Sequence, residues 1–540
     1  MPTLTWIGKE KVINHHRDVP FKILEHKYGF NDTDGETQTP INSGNKIIHG
    51  DNLEALKSLL PEYEGKIKCI YIDPPYNTGN ENWVYNDNVN HPKIKKWLEA
   101  TLKAKESGKE AAIGIDDLAR HDKWLCMMYP RLKLLQKLLA DDGAIFISID
   151  DNGQANLKLI CDEIFGIGNF VNNIIWQKKF SPQNDAQYLS DNHDFIMCYV
   201  KSKGLWHRNL LKRTENNNKS YKNPDNDHRG LWASSDFTVK TYSKEYDYPI
   251  TTPSGKIINP AKGRCWMTSK DRYEVLKKEN RIWFGKKGNN VPRVKKFLNE
   301  VQDGIVPLTI WLHDEVGHNQ SAKQELKEIF LNDKSPFQTP KPSILIQKIL
   351  EISSNSTSII LDSFAGSGTT AHAALNLNKH DGGNRKFILV EMEDYANSIT
   401  AERVKRVING YGDKEGTRGS FDYYELGKPL FIGENNEYLN AEVDTEKIRE
   451  YIWYSETRKA FEQPEIKSDT PYFLGKKEGT AYYFIYEKES LTTLDYDTLS
   501  IIKTKAGQYV IYADNCLLPK DFMMKKNIVF KKIPRDVTRF

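Results

Sequence analysis

Strand-like and helix-like segments alternate along residues 46–200, and this alternation limits the possible folds more than any other feature of the sequence. The strand-like segments are short and mostly apolar, and the segments between them carry apolar residues at three- and four-residue spacing. The same alternation returns over residues 336–410. Strands that alternate with helices build sheets covered by helices, so the sequence predicts an α/β fold with a largely parallel sheet.

Changes in composition divide the chain into five stretches. Between the two alternating stretches lies one that is rich in Asn, Lys, Arg, Trp and Tyr and contains turn signals such as NPDND and TPSG. Strand-like runs near the end of the chain predict a small α+β domain. The predicted stretches are an N-terminal segment 1–45, a first α/β half 46–200, an insert 201–335, a second α/β half 336–425 and a C-terminal domain 430–540.

The composition excludes several classes of protein. Hydrophobic residues make up 39% and charged residues 28% of the 540 residues, as in globular proteins. The sequence contains no run of the roughly 20 apolar residues that a membrane span needs, and we expect no membrane partner. The six cysteines form no C-x-x-C pair, so we expect no metal site and a reducing, cytoplasmic location.

A small glycine loop follows an apolar strand at IILDSFAGSGTT, residues 359–370. A phosphate-binding P-loop needs Lys after the last Gly, where this chain has Thr369. The spacing of a dinucleotide loop, G-x-G-x-x-G/A, is compatible with residues 366–371. An S-adenosylmethionine loop is a third interpretation, in which Asp362 meets the ammonium and Glu391 meets the ribose. The loop alone leaves a cofactor site and an ordinary tight turn equally open.

A second polar loop follows the strand IKCIYI and reads Asp73, Pro74, Pro75, Tyr76. A rigid turn explains the prolines, since Pro fixes φ, but it does not explain the acid and the aromatic ring. An exocyclic amine on a planar base is a poor nucleophile, because its lone pair is delocalised into the ring. Asp73 and the Pro74 carbonyl could accept its N–H bonds and localise that pair, while Tyr76 stacks on an extruded base.

With these motifs, and in this order, the sequence resembles β-class DNA adenine-N6 methyltransferases, in particular the modification (Mod) subunits of type III restriction–modification systems. The resemblance covers roughly 46–410 and is carried by GDNLEALKSL, YIDPPYNTGNENWVYND, WLCMMYPRLKLLQKLLADDGAIFISIDDN, FQTPKPSILI and LDSFAGSGTT. It implies a Rossmann-like methyltransferase sheet in circularly permuted order, in which the catalytic half, 46–200, precedes the S-adenosylmethionine-binding half, 336–425. Residues 201–335 would then be the target-recognition domain.

The resemblance also implies roles for individual residues. Asp73, Pro74, Pro75 and Tyr76 would be catalytic, and Asp51 would meet the cofactor adenine. Lys341, Pro342 and Ser343 would close over S-adenosylmethionine. The remaining cofactor residues would be Asp362, Phe364, Ala365, Gly366, Gly368, Thr369 and Glu391. The implied partners are double-stranded DNA, a second copy of the chain and a helicase–nuclease (Res) subunit. N4-cytosine methylation, and an orphan methyltransferase without Res, remain alternatives.

The insert is strongly basic over part of its length. Between Lys256 and Glu300 there are thirteen Lys and Arg residues against four Asp and Glu residues. Aromatic residues interleave with them, a pattern that suits contacts to both phosphates and bases. The predicted DNA-contacting residues are Lys262, Arg264, Arg272, Lys286, Lys287 and Arg293, and the interleaved aromatic residues are Trp266, Tyr273, Trp283, Phe284 and Phe297.

Overall fold

The computed structural model describes residues 3–78, 115–184, 186–301, 304–331, 337–433, 436–462 and 472–538. The chain forms two compact units. The first contains Met1–Asn209 and Leu308–Phe540, and the second contains Leu210–Pro307. The second unit lies within residues 201–335, and residues 430–540 belong to the first unit.

An eleven-stranded mixed sheet forms the centre of the first unit. The strands at the centre of this sheet are predominantly apolar, as expected for strands with helices on both faces. The eleven strands are β1 (Lys22–Asn31), β2 (Gly35–Thr37), β3 (Lys46–His49), β4 (Ile67–Ile72), β5 (Leu139–Ile149), β6 (Phe170–Gln177), β7 (His193–Val200), β8 (Ile310–Trp311), β9 (Ile359–Asp362), β10 (Lys386–Glu391) and β11 (Ser420–Pro429).

The order of the strands across the sheet is β8-β6-β7-β5-β4-β9-β10-β3-β11-β1-β2. The central strands β5, β4, β9, β10 and β3 are parallel neighbours. Strand β7 runs antiparallel to both of its neighbours, β5 and β6. Consequently the carboxyl ends of β4, β6, β9 and β10 and the amino end of β7 lie along one edge of the sheet. The α/β prediction is confirmed.

Helices connect these strands and bury their apolar sides against the sheet. Helix α5 (Ser343–Ser353), for example, buries Leu345, Ile346, Ile349 and Leu350, and it packs beside helix α6 (Thr369–Asp381). The helices used below are α1 (Asn52–Tyr63), α2 (Ile115–Leu138), α3 (Gln154–Phe165), α4 (Asn319–Ile329), α5 (Ser343–Ser353), α6 (Thr369–Asp381), α7 (Glu402–Asn409) and α8 (Thr445–Thr457). A π-helical turn, Ala396–Ala401, leads into α7.

Both ends of the chain add structure to this unit. The N-terminal segment 1–45 contributes β1 and β2, and β1 pairs antiparallel with β2 and with β11. Near the C-terminus, the strands Phe473–Lys477, Thr480–Phe484, Gln508–Ala513 and Ile528–Lys532 form a four-stranded sheet with its own apolar core. Helix α8 shares the large core of the first unit. The Tyr454 hydroxyl of α8 donates to Glu64.

The second unit has a small core of its own, built from short strands and one helix. Its three-stranded sheet contains Trp232–Asp236, Ile282–Trp283 and Arg293–Phe297. Helix Lys270–Lys278 is capped at its N-terminus by Ser269, whose hydroxyl accepts from the Arg272 amide. Among the described residues of the whole chain, no helix has both the length and the apolar character needed to cross a membrane.

Candidate active site

The two loops singled out in the sequence leave adjacent strands at the same edge of the sheet. Strand β4 pairs in parallel with β9, with Cys69 opposite Ile360 and Ile70 opposite Leu361. The loop that begins at Asp73 follows β4, and the glycine loop follows β9. Because parallel neighbours end at the same edge, the two loops meet, although they are about 290 residues apart in the sequence.

A cavity of about 370 Å³ lies where the loops meet. Most of the predicted site residues line it, and four predicted residues, Asp51, Pro342, Ser343 and Gly368, are not part of its wall. The predicted residues in the wall are Asp73, Pro74, Pro75, Tyr76, Lys341, Asp362, Phe364, Ala365, Gly366, Thr369 and Glu391. The wall therefore brings together both groups of residues, those predicted to be catalytic and those predicted to bind a cofactor.

The two oxygens of the Asp73 carboxylate have different surroundings. Oδ2 is in an ion pair with the Lys341 ammonium. Oδ1 is buried and accepts no hydrogen bond from the described residues. The same ammonium lies 5.1 Å from the centre of the Tyr76 ring, so it joins the acid to the aromatic residue. Burial and the Asp73 charge hold the pKa of the Tyr76 hydroxyl well above its usual range.

The backbone of the Asp-Pro-Pro-Tyr loop is fixed by residues that the sequence did not single out. The Trp124 indole, on α2, donates to the Pro75 carbonyl at 2.7 Å. Asn77 has a left-handed φ of 66° and is fully buried. Its amide nitrogen lies 2.9 Å from Nδ1 of His121. The two prolines, the indole and the buried amide therefore hold the loop rigidly.

Two glycines let the second loop turn into α6. Gly366 and Gly368 have left-handed φ values of 52° and 79°. A Cβ atom on Gly366 would lie 3.1 Å from the Phe337 ring, and one on Gly368 would lie 2.9 Å from the Thr400 carbonyl oxygen. The Thr400 hydroxyl donates to the Gly366 carbonyl at 2.5 Å. Conformation therefore favours glycine at both positions, and at Gly368 space does so too, because the atom that a Cβ would meet belongs to the backbone.

The two acids of the glycine loop are tied to its backbone. Asp362 accepts from the Phe364 amide at 3.0 Å and from the Thr370 hydroxyl at 2.5 Å. Glu391 accepts from the Gly366 amide at 2.7 Å and from the amides of residues 392 and 393. Burial raises the pKa of each carboxyl group to about 7. Both acids shape the loop through these hydrogen bonds, and both also line the cavity.

The four predicted residues outside the wall all lie at the starts of helices. Asp51 caps α1, accepting from the amides of Leu53 and Glu54, and it lies 3.7 Å from the Arg131 guanidinium. Pro342 precedes the first residue of α5. Ser343 donates both its amide and its hydroxyl to Glu325 on α4. Gly368 immediately precedes α6.

A buried ion pair in the wall of the cavity was not predicted from the sequence. Lys178 follows β6, and Asp194 is the second residue of β7; the two lie 2.7 Å apart and both line the cavity. Burial raises the Asp194 pKa to about 6, although Lys178 and Lys341 oppose the shift. The direction of β7 determines which residues of the β6–β7 pair face the cavity, and periodicity alone does not give that direction.

In the insert, five of the six predicted DNA-contacting residues are exposed, namely Lys262, Arg272, Lys286, Lys287 and Arg293. Arg293 is paired with Asp236 at 2.8 Å, and Arg264 is half-buried. The expectation that the interleaved aromatic residues suit base contacts is corrected for four of them. Trp266, Tyr273 and Phe284 belong to the core of the second unit, and Phe297 is fully buried.

Residues 67–402 match the N6/N4 methyltransferase family model, which is described as DNA methylase. The Mod subunit of the StyLTI type III restriction–modification enzyme of Salmonella typhimurium is 37% identical over 363 residues, covering 66% of this chain and 54% of that protein. The corresponding EcoPI subunit of Escherichia phage P1 is 32% identical, covering 73% and 64%. The type II methyltransferase M.KpnI of Klebsiella pneumoniae is 31% identical, covering 68% and 85%. This chain thus spans just over half to just under two thirds of these two Mod subunits.

Proposed function

The chain belongs to the N6/N4 family of DNA methylases, and on that premise we propose that it transfers a methyl group from S-adenosylmethionine to N6 of an adenine extruded from double-stranded DNA. One observation supports this most directly. Asp73, Tyr76 and Gly366 line a single cavity, so an amine acceptor, a stacking ring and a glycine loop are within reach of the same small molecules.

The glycine loop suits the proposed cofactor. Gly366 and Gly368 allow close approach of the backbone, and Glu391 and Asp362 offer carboxylate oxygens to a ribose diol and an ammonium group. Phe364 adds an apolar surface to the same wall. S-adenosylmethionine, when bound, would supply an electrophilic methyl group on a sulfonium centre. These residues would hold it, and a metal ion has no role in this proposal.

The catalytic loop provides the acceptors for the target amine. Oδ1 of Asp73 is buried and accepts no hydrogen bond from the described residues, so it is available to an N–H group. The Pro74 carbonyl is the second proposed acceptor, since the Trp124 indole already donates to the Pro75 carbonyl. Tyr76 would carry the extruded base on its ring. Rigid acceptors aimed at the amine favour its tetrahedral, nucleophilic form in the transition state.

Adenine is the proposed target base, and the Asp-Pro-Pro-Tyr sequence supports it over the Ser-Pro-Pro-Tyr sequence associated with N4-cytosine enzymes. Cytosine carries a similar exocyclic amine, so the geometry of the acceptors alone does not separate the two bases. Hydrolysing methylated DNA to nucleosides and separating them by mass distinguishes N6-methyl-2′-deoxyadenosine from N4-methyl-2′-deoxycytidine. Recovery of N4-methylcytosine alone would overturn this part of the proposal.

The similarity to Mod subunits supports a role within a type III restriction–modification system, with a second copy of the chain and a Res subunit as partners. The exposed basic side chains of the insert support contacts to DNA phosphates. Size measurement of the chain in solution, with and without a Res protein, tests both protein partners. A monomer that binds no Res protein would instead support the alternative of an orphan methyltransferase.

Replacement of Asp73 tests the proposed chemistry. We expect Asp73→Ala to lower the rate of methyl transfer from labelled S-adenosylmethionine to DNA by roughly 100- to 1000-fold, as for other preorganised groups of a transition state. Asp413→Ala is the matched control, because Asp413 is an exposed acid in a turn away from the cavity. An Asp73→Ala variant that folds and methylates at the wild-type rate would refute the mechanism.

A further inference from the structure

Lys341 contacts the catalytic acid rather than only the cofactor loop. Its ammonium pairs with Oδ2 of Asp73, and its side chain is only 10% exposed. Oδ1 of the same carboxylate is buried and accepts no hydrogen bond from the described residues. A carboxylate held through one oxygen cannot rotate freely, so the ion pair sets the direction in which the other oxygen points.

The segment around Lys341 is itself held by a buried charge. The Thr369 hydroxyl donates to the Lys341 carbonyl at 3.4 Å. Two residues further along, Ser343 donates its amide and its hydroxyl to Glu325. Glu325 lies 3.1 Å from the Arg403 guanidinium, and the Arg403 side chain is fully buried. Burying this arginine would be costly without such a partner.

The same guanidinium also holds the glycine loop. One terminal nitrogen of Arg403 donates to the Ser367 hydroxyl at 3.0 Å and to the Thr369 hydroxyl at 2.8 Å. The other lies 3.1 Å from Nδ1 of His372 on α6. Arg403 therefore contacts the proposed cofactor loop directly and, through Glu325, holds the segment that carries Lys341.

We propose that Lys341 is a positioning residue, which is held by the Glu325–Arg403 pair and aims Oδ1 of Asp73 at the target amine. The proposal rests on the proposed methyl transfer and adds to it. It gives Lys341 a task at the base, whereas the family resemblance implied a task at the cofactor. It also makes Arg403 the group that keeps the cofactor loop and the catalytic acid in register.

Lys341→Met tests the proposal, since it keeps much of the length of the side chain and removes its charge. We expect the single-turnover methylation rate at saturating cofactor to fall 10- to 100-fold, and the dissociation constant of S-adenosylmethionine to change less than threefold. Lys341→Arg should restore part of the rate. Lys348→Met is the matched control on α5, where Lys348 pairs with Glu315 at 2.9 Å.

The results separate this proposal from the proposed function. An inactive wild-type chain would overturn the methyl transfer itself. An active wild-type chain with an unchanged rate in Lys341→Met would overturn only the positioning role. A large rise in the cofactor dissociation constant with a normal rate at saturation would also overturn it, because Lys341 would then serve the cofactor.

Glu325→Gln tests the link to the buried pair. We expect a 3- to 10-fold lower rate, and we expect the Lys341→Met/Glu325→Gln double variant to be no slower than Lys341→Met alone. Asp381→Asn is the control for loss of an acid paired with a buried arginine, since Asp381 pairs with Arg385 at 2.8 Å and neither lines the cavity. If the two single-variant reductions in rate multiply in the double variant, Glu325 and Lys341 act independently, and this result would overturn the link.

Discussion

Helix α6 has a left-handed glycine at each end, and the pair allows the effect of close packing to be separated from the effect of backbone conformation. Gly368 precedes the helix with φ 79°, and Gly382 follows it with φ 70°. A Cβ atom on Gly368 would lie 2.9 Å from the Thr400 carbonyl oxygen, whereas a Cβ atom on Gly382 would meet nothing within 4 Å. A side chain at Gly368 would therefore add a steric clash to the free-energy cost of the left-handed conformation, whereas a side chain at Gly382 would not.

The expected free energies follow from these surroundings. Gly382→Ala should lower the free energy of unfolding by about 1 kcal/mol, the cost of a left-handed conformation in an L-residue. Gly368→Ala should lower the free energy of unfolding by the same amount and by about 1–3 kcal/mol more for overpacking, because its Cβ would meet a backbone atom. Thr400 also donates to the Gly366 carbonyl. Displacing Thr400 should therefore also weaken binding of S-adenosylmethionine in the Gly368 variant.

Urea unfolding followed by circular dichroism measures the two free energies, and calorimetry measures cofactor binding. The Gly368 variant should have the lower urea midpoint of the two and the weaker cofactor affinity, while the Gly382 variant binds the cofactor as the wild type does. Equal losses of stability in the two variants would refute the reasoning, since they would show that the contact with Thr400 does not change the free energy of unfolding.

Two further predictions concern charge. Burial raises the Glu391 pKa to about 7 from 4.5, so the folded chain binds this proton more tightly than the unfolded chain, and stability falls as the pH rises from about 4.5 to 7. Glu391→Gln should remove up to about 3 kcal/mol of that pH dependence, measured as the free energy of unfolding at pH 5 and pH 8; an unchanged dependence would contradict the raised pKa. In the insert, replacing Lys286 and Lys287 together by Ala should lower the slope of log affinity for DNA against log salt by about 2. Arg281→Ala is the control, because Arg281 is paired with Glu300 at 2.6 Å, and equal slopes in all three proteins would exclude phosphate contacts by the two lysines.

The sequence alone was sufficient to predict the strands that are marked by a local run of apolar residues. The strands around β4, β5 and β9 are short apolar runs bounded by acids and glycines, and periodicity identified each of them. The N-terminal strand β1 was missed because its sequence, KILEHKYGFN, mixes polar and apolar residues. It is an edge-region strand, and its pairing with β11 depends on a partner about 400 residues away.

The insert shows why composition cannot assign a task to an aromatic residue. Trp266 and Lys262 are close in sequence, yet the structure buries the first fully and exposes the second. Both the core of a small unit and a surface that binds bases require aromatic rings, so the same composition fits either. The strands of this unit are too short to show the alternation of apolar and polar residues that would indicate their buried face.

The charged network behind the cavity left no sequence signal for a different reason. Arg403 lies in a helix whose other residues follow an ordinary amphipathic pattern, and a buried arginine there looks like an exposed one. Its contacts in the folded chain distinguish it, above all the one with Glu325, which lies on a helix almost 80 residues away in the sequence. Thr369 was predicted to bind the cofactor, and no sequence pattern indicates that its hydroxyl also accepts from Arg403.

The arrangement of the site depends on the order of strands in the sheet and much less on their order in the chain. Strands β4 and β9 pair because their apolar faces and hydrogen-bonding groups match, and this pairing requires no short connection. Closing a flexible connection of about 290 residues in place of one of about 30 costs only about 2 kcal/mol in chain entropy, since the cost grows with the logarithm of length. A compact unit such as Leu210–Pro307, which has its own core, reduces that cost further because its residues are ordered independently. The catalytic half can therefore precede the cofactor half, with an insert between them, while Asp73 and Gly366 still line one cavity.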